Sequence, residues 1–291
     1  MEHAVKLENV GFYYPKQEIE VVDNAIAAVQ NPDEITQVFN GVTADLPAAM
    51  MSLVGQNGIG KSTLLLLAGA RLFPHEGTVT IFGTDTKTFV DAAVDPELEQ
   101  ERNRFVSFVY QNMEFESQAS VGDLMEFVFE NGFYETDERT LIEEIKRAFE
   151  MDGFLHLKTQ HLAKGQLQRA IIAFSLLYGS RLIMMDEPVF ALEEPQKDRV
   201  FAFLLDFSRS RGIPIYYSAH NLELTEKYSD SMLLFSKTGD FKIGPTTELF
   251  NREEIEAAYQ APIDSLYRRD SLYREVLLRS HSEKGGQKNR T

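Results

Sequence analysis

Cysteine is absent from the 291 residues, which excludes disulfides and thiol chemistry and fits a reducing compartment. No window holds about 18 uninterrupted apolar residues, so no membrane-spanning helix is expected. The amino end, Met1-Glu2-His3-Ala4-Val5-Lys6, lacks a basic stretch leading into an apolar core, and no signal peptide is expected. Basic residues are scarce, with 29 Lys and Arg against 45 Asp and Glu and a formal net charge of -16. Such a chain has no cationic excess with which to release counterions from a nucleic acid, so nucleic acid is not an expected partner. The acidity reads as solubility. A long internal repeat is also missing. The apolar content is ordinary, and the length suits one large or two small domains with a sizeable core.

Against that plain background stands Gly55-Gln56-Asn57-Gly58-Ile59-Gly60-Lys61-Ser62-Thr63. It follows the apolar run Met50 to Val54 and precedes Leu64-Leu65-Leu66-Leu67-Ala68. A buried strand, a Gly-rich turn and a helix are the context that a phosphate-binding P-loop needs. Glycines let backbone N–H groups turn inward around phosphate oxygens with no Cβ in the way. Lys61 would reach the β- and γ-phosphates, and the Ser62 hydroxyl would ligate Mg²⁺. A nucleoside triphosphate with Mg²⁺ is the expected ligand.

The remaining strands are legible from alternation and apolar runs. Val5 to Val10 alternates, and Gly11-Phe12-Tyr13-Tyr14-Pro15 follows with rings that either stack on a purine base or belong to the core. Asp23-Asn24 before Ala25-Ile26-Ala27-Ala28-Val29 and a closing Asn31-Pro32 predict a short helix within a surface insertion over about 16–33. Val38 to Pro47 is a strand, as is Gly77 to Gly83, and Pro96 to Arg104 is a polar helix. From Val121 to about Tyr178 the pattern is mainly helical, which predicts a helical layer inserted into an α/β domain. Ser231 to Ser236 and Phe241 to Gly244 predict a hairpin, followed by helical segments and a disordered end at Gly285 to Arg290.

Three apolar strands end on polar residues, at the sheet edge where ligands sit in open α/β folds. Phe105 to Tyr110 ends on Gln111, and Ile213 to Ala219 ends on His220. Leu182-Ile183-Met184-Met185 ends on Asp186-Glu187-Pro188. In a P-loop enzyme one acid there holds Mg²⁺, and a second beside it can polarise the attacking water. A histidine at such an edge can bond the γ-phosphate or orient that water, although a lone histidine is more often structural.

This ordered set resembles the ABC-type ATPases, the nucleotide-binding subunits of ATP-driven transporters, from about Val5 to Phe250. The resemblance implies a P-loop NTPase (RecA-like) α/β core with an antiparallel β subdomain and an inserted helical subdomain at about 112–180. It implies one ATPase domain over 1–250, then a C-terminal extension and tail over 251–291. Tyr14 takes the place of the adenine-stacking aromatic, and Gln56, Asn57, Gly58, Ile59, Gly60, Lys61, Ser62 and Thr63 that of the phosphate loop. Gln111 matches the Q-loop, Asp186 the Walker B acid, Glu187 the catalytic base and His220 the switch histidine. Ala191-Leu192-Glu193 is similar to the D-loop, with Glu in place of Asp.

One motif departs. Where the family has Leu-Ser-Gly-Gly-Gln, facing the ATP of the opposite subunit, this chain has Leu162-Ala163-Lys164-Gly165-Gln166. Ala163 removes a hydroxyl donor worth about 1.5–3 kcal/mol as a charge-assisted bond. Lys164 meets the phosphate directly, holds the dimer slightly open, or extends to solvent while the Gly165 N–H suffices. The implied function is ATP hydrolysis driving solute transport through separate permease subunits, on the cytoplasmic face of the membrane. The partner ATPase is a second copy or another ABC ATPase. A weakly hydrolysing regulatory subunit and a soluble ABC protein outside transport are the alternatives. Thr246 to Ile263 is similar to the carboxyl end of ATPases of iron-chelate, cobalamin and metal importers.

Overall fold

The computed structural model describes residues 3–22, 25–134, 138–219 and 221–266, with the backbone alone over 16–33. In chain order the elements are β1 (His3–Val22), β2 (Ala25–Pro47), β3 (Met50–Val54), α1 (Lys61–Ala68), β4 (Glu76–Ile81), β5 (Thr84–Asp85) and α2 (Pro96–Phe105). Then come β6 (Val106–Val109), α3 (Val121–Glu130), α4 (Thr140–Ala148), α5 (Lys164–Leu177), β7 (Leu182–Met185), α6 (Glu194–Arg211) and β8 (Ile215–Ala219). The last are α7 (Leu222–Tyr228), β9 (Ser231–Phe235), β10 (Phe241–Pro245), α8 (Thr246–Leu249) and α9 (Arg252–Tyr259).

Six strands form the larger sheet in the order β10-β9-β3-β8-β7-β6. All neighbours are parallel except the β9–β10 hairpin. A parallel strand is covered on both faces, which is why these segments read as unbroken apolar runs. Alternate residues serve opposite cores. Met50, Ile183, Met185, Ile215 and Tyr217 pack on one face with the helical layer. Met51, Leu53, Leu182, Met184 and Tyr216 pack on the other with α1 and the smaller sheet. Fully burying each such side chain contributes about 1.5–3 kcal/mol. The smaller sheet is antiparallel, in the order β2-β1-β4-β5. A buried bond joins the two sheets: the Tyr216 hydroxyl donates to Pro47 O at 2.7 Å. Burial pushes that phenol far above its ordinary pKa, so it stays a donor.

The helical layer lies between β6 and β7 in the chain, as the sequence pattern predicts. The insertion over 16–33 differs from expectation. Ala25 to Pro32 are strand, not helix, and β1 and β2 remain paired from Lys16↔Asn31 out to Val22↔Ala25. A helix of about two turns cannot repay its nucleation, whereas the ladder pairs the backbone directly and suits the β-branched residues nearby. Asp23 and Asn24, the expected cap, lie outside the described residues, as do 267–291 with the expected disordered end.

Arg169 anchors α5. Its buried Nη1 donates to Phe149 O at 2.6 Å and Glu150 O at 3.2 Å, and its guanidinium lies 5.1 Å from the Phe154 ring centroid. It thereby serves carbonyls at the carboxyl end of α4, where helix groups lack partners and a cation is favoured. Replacing it leaves those carbonyls unpaired in a dry site. Arg169→Met should cost about 1.5–3 kcal/mol, read as a lower denaturant midpoint at unchanged slope.

Candidate functional site

The phosphate loop begins where β3 ends, and its conformation follows from Gly60. That residue caps α1 with φ 109 and ψ 6, and a Cβ there would come within 3.1 Å of both Val38 and Phe39. No side chain caps the helix and no acid lies in its first turn, so the open N–H groups face the loop. An uncapped helix start with its partial positive charge suits an anion. Asn57, Gly58 and Ser62 are exposed, and Thr63 is buried. Tyr14 stands beside α1: its hydroxyl and that of Thr63 share a hydrogen bond of 3.3 Å, and its ring meets Phe12 edge-on at 4.9 Å. Gln56 points away from this face, donating from Nε2 to Tyr259 O at 2.8 Å.

Lys61 is buried, and its Nζ donates to Gly55 O at 2.8 Å and Gln56 O at 2.9 Å. Burial lowers its pKa to about 8, although the charges of Glu187 and Asp186 act in the other direction. The lysine and the two acids, more than a hundred residues apart in the chain, therefore share one electrostatic site. Register explains why. β3, β8 and β7 lie side by side and parallel, so Gly55 after β3 and Asp186 after β7 follow the same sheet edge.

Asp186 is buried, its N–H donating to Val109 O at 2.8 Å. The chain then leaves the sheet at Glu187, which takes φ 47. Gln111 bridges to it, with Nε2 donating to Glu187 Oε2 at 2.8 Å. The bond uses the amide nitrogen, so the Gln111 carbonyl oxygen is the atom left to meet a cation. Sequence reasoning missed Ser218. Its hydroxyl donates to Asp186 Oδ1 at 2.6 Å and accepts the Glu187 N–H at 2.9 Å. A lone serine in a strand buried on both faces was the available signal. His220 lies outside the described residues.

Ala163 and Gly165 lie at the start of α5. Ala163 is the N-cap, and only half of a capping box forms, with its N–H donating to Gln166 Oε1 at 2.9 Å. Alanine has no oxygen to return to the helix. Lys164 is exposed. Gly165 lies against the D-loop, where a Cβ would come within 3.0 Å of Ala191 O, so a larger residue would push the two loops apart. Glu193 caps α6 without any side-chain bond; Glu is one methylene longer than the Asp favoured at that position.

A magnesium–phosphate complex needs few protein ligands. Among the described residues no cluster of three or more His, Cys, Asp or Glu forms a ready cage. An exposed hydroxyl at Ser62, a carboxylate at Asp186 and an amide at Gln111 fit that sparser requirement.

A Gly-rich loop between a central parallel strand and a helix, with an acid pair at the end of β7 and one parallel strand, β8, between the two, defines a P-loop ATPase. The family model described as ABC transporter matches residues 39–190. The chain belongs to the ABC transporter family, as an ATPase. It is 26% identical to the energy-coupling factor transporter ATP-binding protein EcfA1 of Lactobacillus johnsonii, over 84% of this chain and 86% of that one. It is 31% identical to the lipoprotein-releasing system ATP-binding protein LolD of Anaeromyxobacter dehalogenans, over 66% of this chain and 80% of that one. An ATP-binding cassette in a dimeric post-hydrolysis state with ADP and Pi superposes with TM-score 0.66 at 23% identity, covering 83% of this chain and 98% of that one. At that identity the likeness speaks for the fold.

The lowered Lys61 pKa predicts that ATP binding depends on pH. In the free chain Lys61 loses its proton as pH rises through about 8, and the charge of a bound triphosphate would hold the proton on. Binding then takes up a proton above pH 8, and affinity should fall by up to about tenfold per pH unit there. A fluorescent ATP analogue titrated in EDTA from pH 7 to 9.5 should show a plateau and then this decline. Lys61→Met should bind weakly and without the decline.

Proposed function

We propose that this chain is the energy-coupling ATPase of a solute transporter, working as a head-to-tail dimer attached to the membrane through separate permease subunits. One observation carries the hydrolytic reading: Gln111, Asp186, Glu187 and Lys61 converge at a single sheet edge, with Gln111 bonded to Glu187. In this reading the ATP phosphates lie on the open start of α1, with the Lys61 ammonium moving from its own loop carbonyls to the β- and γ-oxygens. Tyr14 stacks on adenine. Ser62, Asp186 and Gln111 would hold Mg²⁺, which would neutralise charge on the phosphates. Glu187 takes the proton as a water oxygen attacks the γ-phosphorus, and ADP leaves with the bridging oxygen. His220 orients that water.

The permease partner is supported by the relatives, which are named as ATP-binding proteins of transport systems. No helix among the described residues is long and apolar enough to cross a membrane. Dimerisation is supported by the dimeric cassette of the same fold. A second reading rests on α5. Its half-capped start and exposed Lys164 favour a subunit that serves its partner's ATP poorly, as in a heterodimer with another ABC ATPase. The short likeness of Thr246 to Ile263 is to the carboxyl end of ATPases of iron-chelate, cobalamin and metal importers.

ATP turnover of the purified chain, alone and with membranes carrying its permease, tests the enzyme. Glu187→Gln should lower turnover about 10²–10⁴-fold while ATP binding persists. Tight ATP binding with no wild-type hydrolysis in either setting would overturn the active-enzyme reading. Ala163→Ser combined with Lys164→Gly restores the hydroxyl and the close approach. It should raise turnover about tenfold, the rate equivalent of a charge-assisted bond of about 1.5 kcal/mol. Unchanged turnover would show that this loop does not limit the rate.

A further inference from the structure

We infer that Ser218 is a positioning residue that locks Asp186 and Glu187 to a single oxygen atom. The inference rests on the reading of Asp186 as metal-holding acid and Glu187 as general base. Ser218 is 1% exposed, in a strand whose other members are Ile215, Tyr216, Tyr217 and Ala219. A hydroxyl sealed in such a strand is costly unless fully bonded. Here it is: Oγ donates to Asp186 Oδ1 at 2.6 Å and accepts the Glu187 N–H at 2.9 Å. The orientation has no alternative. An N–H cannot accept, so the serine's one proton must go to the carboxylate.

The topology explains why this atom is needed. The β7–β8 ladder runs to Met185↔Tyr217, and beyond it the Asp186 N–H turns to Val109 O on β6. Glu187 then adopts φ 47, a left-handed conformation that a side-chain-bearing residue adopts only when its surroundings hold it there. Its N–H has left the ladder at the point where the strand ends. Ser218 Oγ receives it in place of a backbone carbonyl. The same atom fixes which Asp186 oxygen is engaged within the protein, leaving the other for a cation. The Glu187 carboxylate, set by that backbone, reaches Gln111 at 2.8 Å. One buried hydroxyl thus sets the relative placement of both acids without touching substrate.

The test uses the full chain with Ser218→Ala and Ser218→Thr, with folding checked by thermal unfolding and circular dichroism. Partners of metal-site ligands typically change affinity or activity about 10–100-fold when removed. Ser218→Ala should lower kcat by about that factor at saturating ATP and Mg²⁺. It should also weaken Mn²⁺ binding in the presence of ATP about tenfold, read by electron paramagnetic resonance without turnover. Ser218→Thr, which keeps the hydroxyl, should restore both. Wild-type kcat and Mn²⁺ affinity in a folded Ser218→Ala chain would overturn the inference, as would Ser218→Thr behaving like Ser218→Ala. Glu187→Gln, measured in parallel, separates the two ideas. Full turnover in that variant would remove the general-base reading, while the Mn²⁺ measurement would still report the hold of Ser218 on Asp186.

Discussion

β3 is bonded along its length to β8 on one side and β9 on the other. The strand that delivers the phosphate loop therefore cannot shift without opening the sheet at its centre. Parallel pairing adds a direction: Val54, Met185, Val109 and Ala219 all reach one edge, so whatever follows them is brought together. A charged lysine and two carboxylates can then share a partly dry site. The Coulomb attraction offsets some of the cost of burying the ammonium, and a triphosphate with its cation would change both terms.

The chain carries two separate pieces of chemistry on two supports. The phosphate loop and the acids sit on the sheet. Ala163, Lys164 and Gly165 sit at the start of α5, which Arg169 fastens to the end of α4. Gly165 packs so closely on Ala191 that a Cβ there would come within 3.0 Å of the Ala191 carbonyl oxygen. Contact there ties the helical layer to the segment directly after the acid pair. The C-terminal α9 touches the same machinery from behind: Gln56 bonds to Tyr259 O, and Ile255 and Ala258 pack with Val54 and Leu222.

Much of this was readable along the chain. Buried parallel strands are continuous apolar runs, and the candidate site residues are the polar ones that end them. Gln111, Asp186 and Glu187 could thus be named from one residue to the next. The arm beyond Lys16 was misread because a short apolar stretch has no period long enough to separate helix from strand, and pairing with a distant partner decided it. Ser218 was visible as a letter and silent as a role. Its meaning depends on β8 lying beside β7, a relation between residues 32 apart.

Residue order alone was enough for the class of fold, the phosphate loop, the acid pair and the altered signature, because each is encoded over a few consecutive residues. The burial of Lys61, the Gln111–Glu187 bridge, the grip of Ser218 on both acids and the strand form of the 25–32 segment were decided only in three dimensions. Those features depend on strand register and on the loss of water around particular groups. Neither is a property of any local stretch of chain.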